Sequence, residues 1–459
     1  MSADQRIVIV GAGPTGLGAA WRLNEAGHNN WVLYESAAHA GGLSTSVVDE
    51  HGFTWDLGGH VLFSHYKYFD GVMNTALGDA WVEHVREAWV WIRDRWVPYP
   101  FQNNIWRLPN DDLIACLNGL VDLQGAQRER PQSFRDWLLN SFGTGLCDTF
   151  MLPYNRKVWA YDPSKLGVGW MGERVATVDL KRILRNVVLR QDDVSWGPNA
   201  TFRFPLTGGT GAIWKAVSGR LPAERQHFNR SVASVDLERK QIKFVDGTTA
   251  SYDVLISTMA LDHLLRAILH RPDLAARAAD FVYSSSHIVG IGMAGKPPAD
   301  LTTKCWIYFP EDSVPFYRAT VFSNYSPNNV PTFAPHWSLM AEVSESPDKP
   351  VEVGTLIADV IQGFVRCGFV DPSTIVTTWH RRLDHGYPTP WVGRDDVLGP
   401  IEAILRPASV LSRGRFGAWK YEVSNQDHSF MQGVEAADNV LSGADEPTFA
   451  GNESGKRGR

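Results

Sequence analysis

Four cysteines in 459 residues, Cys116, Cys147, Cys305 and Cys367, lie far apart with no C-x-x-C pair. That scatter argues against a disulfide framework and a structural zinc site, and suits a reducing compartment such as the cytoplasm. No apolar run approaches the roughly 18 residues of a membrane-spanning helix, so membrane insertion is not expected. The chain passes from a few polar or small residues straight into a strand pattern, without the profile of a signal peptide. A basic block is also missing and the net charge is -6, which argues against nucleic acid as a partner. Tryptophan, by contrast, is abundant at 18. Core packing accounts for most of these; some are candidates to line a site for a ring-bearing ligand. The length suits two or three domains with a large core.

The stretch around which the rest is organised is Arg6-Ile-Val-Ile-Val-Gly-Ala-Gly-Pro-Thr-Gly-Leu-Gly-Ala-Ala-Trp-Arg-Leu23. Ile7 to Val10 read as a buried strand, and Gly11, Gly13 and Gly16 follow in G-x-G-x-x-G spacing. The first glycine permits the sharp turn, the second lets backbone approach a pyrophosphate, and the third lets the helix pack on the strand. The helix N-terminus offers unpaired N–H groups and a positive dipole end to the phosphates. A second strand, Trp31 to Tyr34, runs into Glu35, placed to accept ribose hydroxyls. A dinucleotide site is therefore expected. Gly41-Gly42-Leu43 is either a loop passing beneath that cofactor or an ordinary turn.

Phe53 to Asp56 read as a short strand ahead of Gly58-Gly59-His60. His60 and His65, five apart, are poorly spaced for a metal on a helix, so no metal site is assigned. Trp96 to Asn104 is a Pro-locked, aromatic and amide-rich segment, either a rigid connection or a platform that stacks a base. Residues 110–200 read as helical: an apolar stripe around Leu113 to Val121, a helix from Phe134 capped by Ser133, and a stripe from Leu180 to Val188. Gly208 to Gly211 open a helix towards Leu221, and Ser231 to Tyr252 give a two-stranded hairpin with an Asp246-Gly247 turn. Asp253 to Thr258 is again a buried strand.

Short alternating strands then follow at Ile288–Met293, Cys305–Phe309, Tyr317–Phe322 and Ser338–Val343, an antiparallel substrate-binding layer. Arg318 sits in one of them; facing inward it needs an anionic partner, facing outward it needs none. A helix (353–364), a strand (374–379), the Pro-rich loop His385 to Pro390 and a closing helix from about Met431 complete the pattern. The fold class is thus α/β: a discontinuous Rossmann-like cofactor domain (1–95, 206–265 and 405–459), an inserted helical domain (96–205) and an antiparallel β-sheet domain (266–404).

The single G-x-G-x-x-G, the glycine pair after Glu35, the hairpin before Asp253 and the closing helix together resemble the flavin-dependent, amine oxidase-like FAD proteins. Within that group, Gly59-His-Val-Leu-Phe-Ser-His-Tyr-Lys-Tyr-Phe69, Trp96 to Asn104, Gly197 to Phe204, Phe316 to Ser326 and Arg413 to Phe430 resemble the eukaryotic-type UDP-galactopyranose mutases. The likeness runs to about residue 445; the departures are a short stretch near Asn328 to His336 and a brief tail, segments that could bear on oligomer contacts.

The resemblance implies interconversion of UDP-galactopyranose and UDP-galactofuranose without net redox change, with N5 of reduced FAD attacking the anomeric carbon, UDP leaving and returning, and an iminium adduct between. It implies NADPH or NADH as the reductant; no second dinucleotide fingerprint is present. As catalytic residues it implies His60, beside the flavin, and Arg174 and Arg318, which clamp the diphosphate. For substrate it implies Tyr99, Phe101 and Gln102 at the uracil, Asn155 and Trp159 at the ribose, and Asn199 at the galactose. Tyr308, Tyr387, Tyr421 and Asn425 fall at the diphosphate, and Phe63 and Trp306 are further substrate contacts. For FAD it implies Gly11, Gly13, Pro14, Thr15, Gly16, Glu35, Ser36, Gly42, Leu43, Gly59, His60, Val232, Arg415, Asn425, Gln426 and Ser429.

Overall fold

The computed structural model describes residues 4–125, 127–171, 177–194 and 200–451. Its first sheet has five parallel strands in the order Val410–Ser412, Val254–Ser257, β1 (Ile7–Val10), β2 (Trp31–Tyr34) and Gln226–His227. Both faces of β1 are covered, which is why its sequence is apolar without alternation. Ile7 and Ile9 pack with Leu17, Ile256 and Phe430 on one side, and Val8 and Val10 with Leu255 and Trp419 on the other. Three segments distant in sequence therefore build one sheet. The hairpin expected before Asp253 has three strands, Val232–Asp236, Gln241–Phe244 and Thr249–Ser251.

Helix α1 (Pro14–Glu25) starts with Pro at its first turn, where the missing N–H costs nothing. Helix α2 (Gln426–Ser442) packs directly on it. Contact there is backbone to backbone: a Cβ on Gly18 would lie 2.2 Å from the Phe430 carbonyl oxygen, and one on Gly433 would lie 1.9 Å from that of Thr15. Helix α2 begins five residues earlier than Met431. Its first turn is polar but enclosed, Asp427, His428 and Ser429 all being buried.

The second sheet has seven strands, in the order Ile375–Pro388, Tyr283–Ala294, His336–Glu345, Arg318–Val321, Trp306–Tyr308, Ala88–Ile92 and Arg95–Pro98. Its pairs are antiparallel apart from Trp306–Tyr308 on Ala88–Ile92, which is parallel. Residues 88–98 thus pair into this sheet, across the boundary drawn at residue 95. Ile375–Pro388 runs through much of the segment expected as a Pro-rich loop. It is an edge strand, where Pro388 is tolerated because no ladder donor is required. One face is covered by helix Leu356–Arg366, with Val360 and Phe364 against Ile307 and Phe316. Period-two alternation sends Tyr308, Arg318, Thr320 and Glu342 to the other face, onto a large cavity.

Helices Asn110–Asp122, Phe134–Leu146, Leu152–Trp159 and Leu180–Leu189 form the inserted helical layer. Ser133 and Asp136 make a reciprocal capping box at the second of them.

Candidate active site

A cavity of about 1410 Å³ lies between the C-terminal ends of the parallel strands, the seven-stranded sheet and the helical layer. Its floor is the glycine turn after β1. Gly11 has φ +102°, and a Cβ there would sit 2.0 Å from Thr258 Oγ1. A Cβ on Gly42 would lie 3.2 Å from Gly13 Cα, so two stretches of bare backbone meet under the cavity. Gly16 does not reach the wall; it packs α1 on the turn, since a Cβ would lie 1.8 Å from the Gly11 carbonyl oxygen. Pro14 and Thr15 begin α1 at the cavity, whose N-terminus is capped by no side chain and has no acid in its first turn.

Glu35 ends β2 on the cavity wall. Its carboxylate accepts from Ala12 N–H (2.6 Å), Ser36 Oγ–H (3.0 Å) and Ala37 N–H (2.7 Å). Leu43 and Val232 line the same end. The N-terminus of α2 enters from the opposite side, with Asn425, Gln426 and Ser429 on the wall and no side-chain cap. Trp214 Nε1–H holds the Gln426 amide oxygen at 2.8 Å. Arg415 donates to Ser424 Oγ (2.9 Å) and to the Gly386 carbonyl (3.0 Å). Two helix N-termini, a bare-backbone cradle and a fixed carboxylate acceptor are what the diphosphate and ribose of a dinucleotide require.

Gly58, Gly59 and His60 line the same cavity. His60 Nδ1 is buried without a hydrogen-bond partner. Burial, reinforced by Arg415 and Arg318 and only partly opposed by Glu342, pushes the imidazole down to about 4, so it is neutral at physiological pH. Its unpartnered nitrogen suits a bound group in the cavity. His65 is held instead by Asp427, at 2.7 Å from its Nδ1.

Aromatic groups gather at the far end. Tyr99 and Tyr154 pack on Tyr308 with ring centroids 5.2 and 5.3 Å away, and Trp306 Nε1–H donates to Tyr308 Oη at 2.6 Å. Tyr421 sits 4.8 Å from Trp159 and 5.8 Å from Tyr387. Burial raises the Tyr99, Tyr154 and Tyr308 hydroxyls above their ordinary range, so they stay protonated and able to donate to an anion. Phe63, Gln102 and Asn155 also face this space. Trp159, Trp170 and Trp306 are the lining tryptophans among the described residues, and most of the others pack elsewhere.

Arg318 faces inward, and its anionic partner is Glu342, directly opposite on the neighbouring strand. Nε and Nη2 each donate to the carboxylate at 2.8 Å. The Tyr317 hydroxyl (2.7 Å) and the Gly59 amide (3.0 Å) donate to it as well.

Most of the residues expected at the site thus converge on one cavity. Phe101 is the exception on the substrate side: it is fully buried and stacks at 4.5 Å on Phe150, which forms the wall in front of it. Arg174 and Asn199 lie outside the described residues. The sequence reading missed Glu342, Arg86 and Asp427 on the wall. A carboxylate inside an otherwise apolar strand, Leu-Met-Ala-Glu-Val343, is the signal that marks Glu342.

The family model for flavin containing amine oxidoreductases matches residues 14–383. A crystal structure of reduced UDP-galactopyranose mutase is 53% identical, with 97% of each chain covered and a TM-score of 0.94. The fold alone is shared with a CLA-producing fatty acid isomerase from P. acnes (15% identity, 96% and 99% covered, TM-score 0.65). It is shared equally with wild-type putrescine oxidase bound to putrescine (14%, 95% and 99%, 0.63). The chain belongs to the flavin-containing amine oxidoreductase family and, within it, to the UDP-galactopyranose mutases.

Proposed function

We propose that the enzyme interconverts UDP-galactopyranose and UDP-galactofuranose on bound FAD. The observation that carries this reading is the joining, in one cavity, of the two-helix dinucleotide floor to an arginine- and tyrosine-lined end. The 53% identity to a UDP-galactopyranose mutase over nearly the whole chain supports it. Reduced FAD, when bound, supplies a nucleophilic N5 for the anomeric carbon, so that UDP leaves and returns without net redox change.

The chain's own residues then have three tasks. Glycine backbone, Glu35 and the N-termini of α1 and α2 hold the cofactor. Arg318, with Arg174 as the second expected clamp, stabilises the diphosphate as charge builds on it. Nη1 of Arg318 makes no hydrogen bond to a described residue, which leaves that edge for a phosphate oxygen. Protonated Tyr308, with Tyr387 and Tyr421, adds hydroxyl donors, while Tyr99 and Gln102 meet the base and Asn155 and Trp159 the ribose. The aromatic walls keep water from the anomeric centre, where hydrolysis would compete.

Neutral His60 places no positive charge beside the flavin. We take the reductant to be NADPH or NADH visiting this same cavity, since one glycine-rich dinucleotide turn serves the chain. Four free cysteines fit a reducing, cytoplasmic setting.

The test is to incubate dithionite-reduced enzyme with UDP-galactofuranose and separate the products by chromatography. UDP-galactopyranose is the expected product. No conversion by fully reduced, FAD-loaded enzyme would refute the reading.

A further inference from the structure

Glu342 is only 2% exposed and accepts four donors: two from Arg318, one from Tyr317 and one from the Gly59 backbone. A carboxylate so placed is saturated by hydrogen bonds, and it cancels the charge of the guanidinium that is to receive the diphosphate. Burial favours the neutral form of Glu342, but Arg318 outweighs it and keeps the carboxyl below its usual range. Arg318 and Glu342 therefore form a neutral ion pair rather than a bare cation, which a buried position would tolerate poorly. An arriving diphosphate shares Arg318 with a carboxylate of its own sign.

The same carboxylate reaches a second part of the site. Gly59, whose amide it accepts, immediately precedes His60, and a Cβ on Gly59 would meet Thr320 Oγ1 at 2.8 Å and Glu342 Oε1 at 3.1 Å. The Gly58–His60 segment is thus seated on the Arg318–Glu342 pair without a side chain between them.

We propose that Glu342 is a positioning residue that limits the grip of Arg318 on the nucleoside diphosphate and seats the Gly59–His60 segment by the same carboxylate. This deepens the mutase reading and rests on it. A reaction in which UDP must depart, return and finally be released with product needs an anion clamp of moderate strength. Glu342 supplies the moderation by competing with the phosphates for one guanidinium.

The test uses the FAD-loaded enzyme and UDP as the probe. Glu342→Gln is nearly isosteric and removes the charge. UDP is expected to bind about tenfold tighter, while kcat falls by about tenfold or more and KM falls with it. The UDP-induced rise in Tm should be larger in this variant than in wild type, because UDP then neutralises an otherwise uncompensated Arg318. A role confined to folding would lower Tm equally with and without UDP. In an Arg318→Gln background, Glu342→Gln should change UDP affinity by less than twofold, since its effect is routed through Arg318. Should Glu342→Gln fail to fold, Glu342→Asp keeps the charge and should leave the UDP Kd within about threefold of wild type, with kcat reduced.

Weakened or unchanged UDP binding in Glu342→Gln, an equal effect in the Arg318→Gln background, or a tenfold shift of Kd in Glu342→Asp would each overturn the inference while leaving the mutase reading intact. Failure of wild-type enzyme to bind UDP would overturn both.

Discussion

On the proposed reading the spacing of α1 and α2 sets the cofactor site, and one added methyl group tests it. A Cβ on Gly433 would stand 1.9 Å from the Thr15 carbonyl oxygen and 2.7 Å from the Ala19 nitrogen. Ordinary contact begins near 3.4 Å, so the helices must part locally by about 1.5 Å. Backbone cannot rotate aside as a side-chain tip can, so the strain is not relieved cheaply. Overpacking of this kind costs about 1–3 kcal/mol, which in a chain of this size lowers Tm by a few degrees.

The effect on cofactor retention is larger. Both helices present their N-termini to the cavity, and moving one by more than an ångström forfeits a charge-assisted hydrogen bond worth about 1.5–3 kcal/mol. The FAD Kd of Gly433→Ala should rise by about 10- to 100-fold, measured by flavin fluorescence on reconstitution. Gly18→Ala approaches the same interface from the other helix and should behave alike. Gly71→Ala, in the helix Lys67–Leu77 with nothing within 4 Å of its Cβ, is the control; it should keep FAD and gain up to about 1 kcal/mol. Wild-type FAD affinity and Tm in Gly433→Ala would refute the argument that this spacing holds the site.

Other expected outcomes address separate parts of the molecule. Glu35→Ala leaves the Ala12 amide without its buried acceptor and removes the carboxylate proposed to accept the ribose hydroxyls; its FAD occupancy after purification, read from the flavin absorbance, should fall at least tenfold. Arg413, fully buried, pairs with Glu446 (2.5 Å) and Glu402 (3.0 Å) and so ties the last helix of the described chain to the core. Arg413→Ala removes the buried partner of Glu446 and leaves it only Arg406, at 2.5 Å, so it should cost about 1–3 kcal/mol in urea unfolding; no measurable loss would contradict the pairing. His60 titrates near 4 when folded and near 6.5 when unfolded. Between those values the unfolded state binds the extra proton, so stability is full above about pH 6.5 and is lost as pH falls towards 4. His60→Asn should flatten that dependence by roughly 1–3 kcal/mol, and an unchanged slope would show that His60 does not carry it.

The parallel sheet and its glycine turn were legible because β1, β2 and Val254–Ser257 are short apolar runs followed by turn residues. Chemistry that lives in pairing was harder to read. Arg318 on a strand announced a need for an anion, but Glu342 lies 24 residues on, and only the antiparallel register sets them opposite each other. Phe101 fits an aromatic platform by type, yet Phe150 from the helical layer intervenes, a contact set by packing rather than by local sequence. Helix α2 was drawn too short because Asn425-Gln-Asp-His-Ser429 looks like a solvated turn. Here Asp427, His428 and Ser429 are buried, Asp427 accepting from His65, and half-buried Gln426 is held by Trp214. Residues 88–98 alternate as a strand pair, but nothing local reveals that Trp306–Tyr308 lies beside them.

The central claim, a mutase that works on reduced flavin, is tested most directly in a single sample. FAD-loaded enzyme is mixed with UDP-galactofuranose under nitrogen, reduced with dithionite, then re-oxidised with air, and products are separated at each stage. No UDP-galactopyranose is expected before reduction, steady formation while the flavin is bleached, and arrest when its yellow absorbance returns. Conversion at the same rate by the oxidised enzyme, or none in the bleached state, would contradict it.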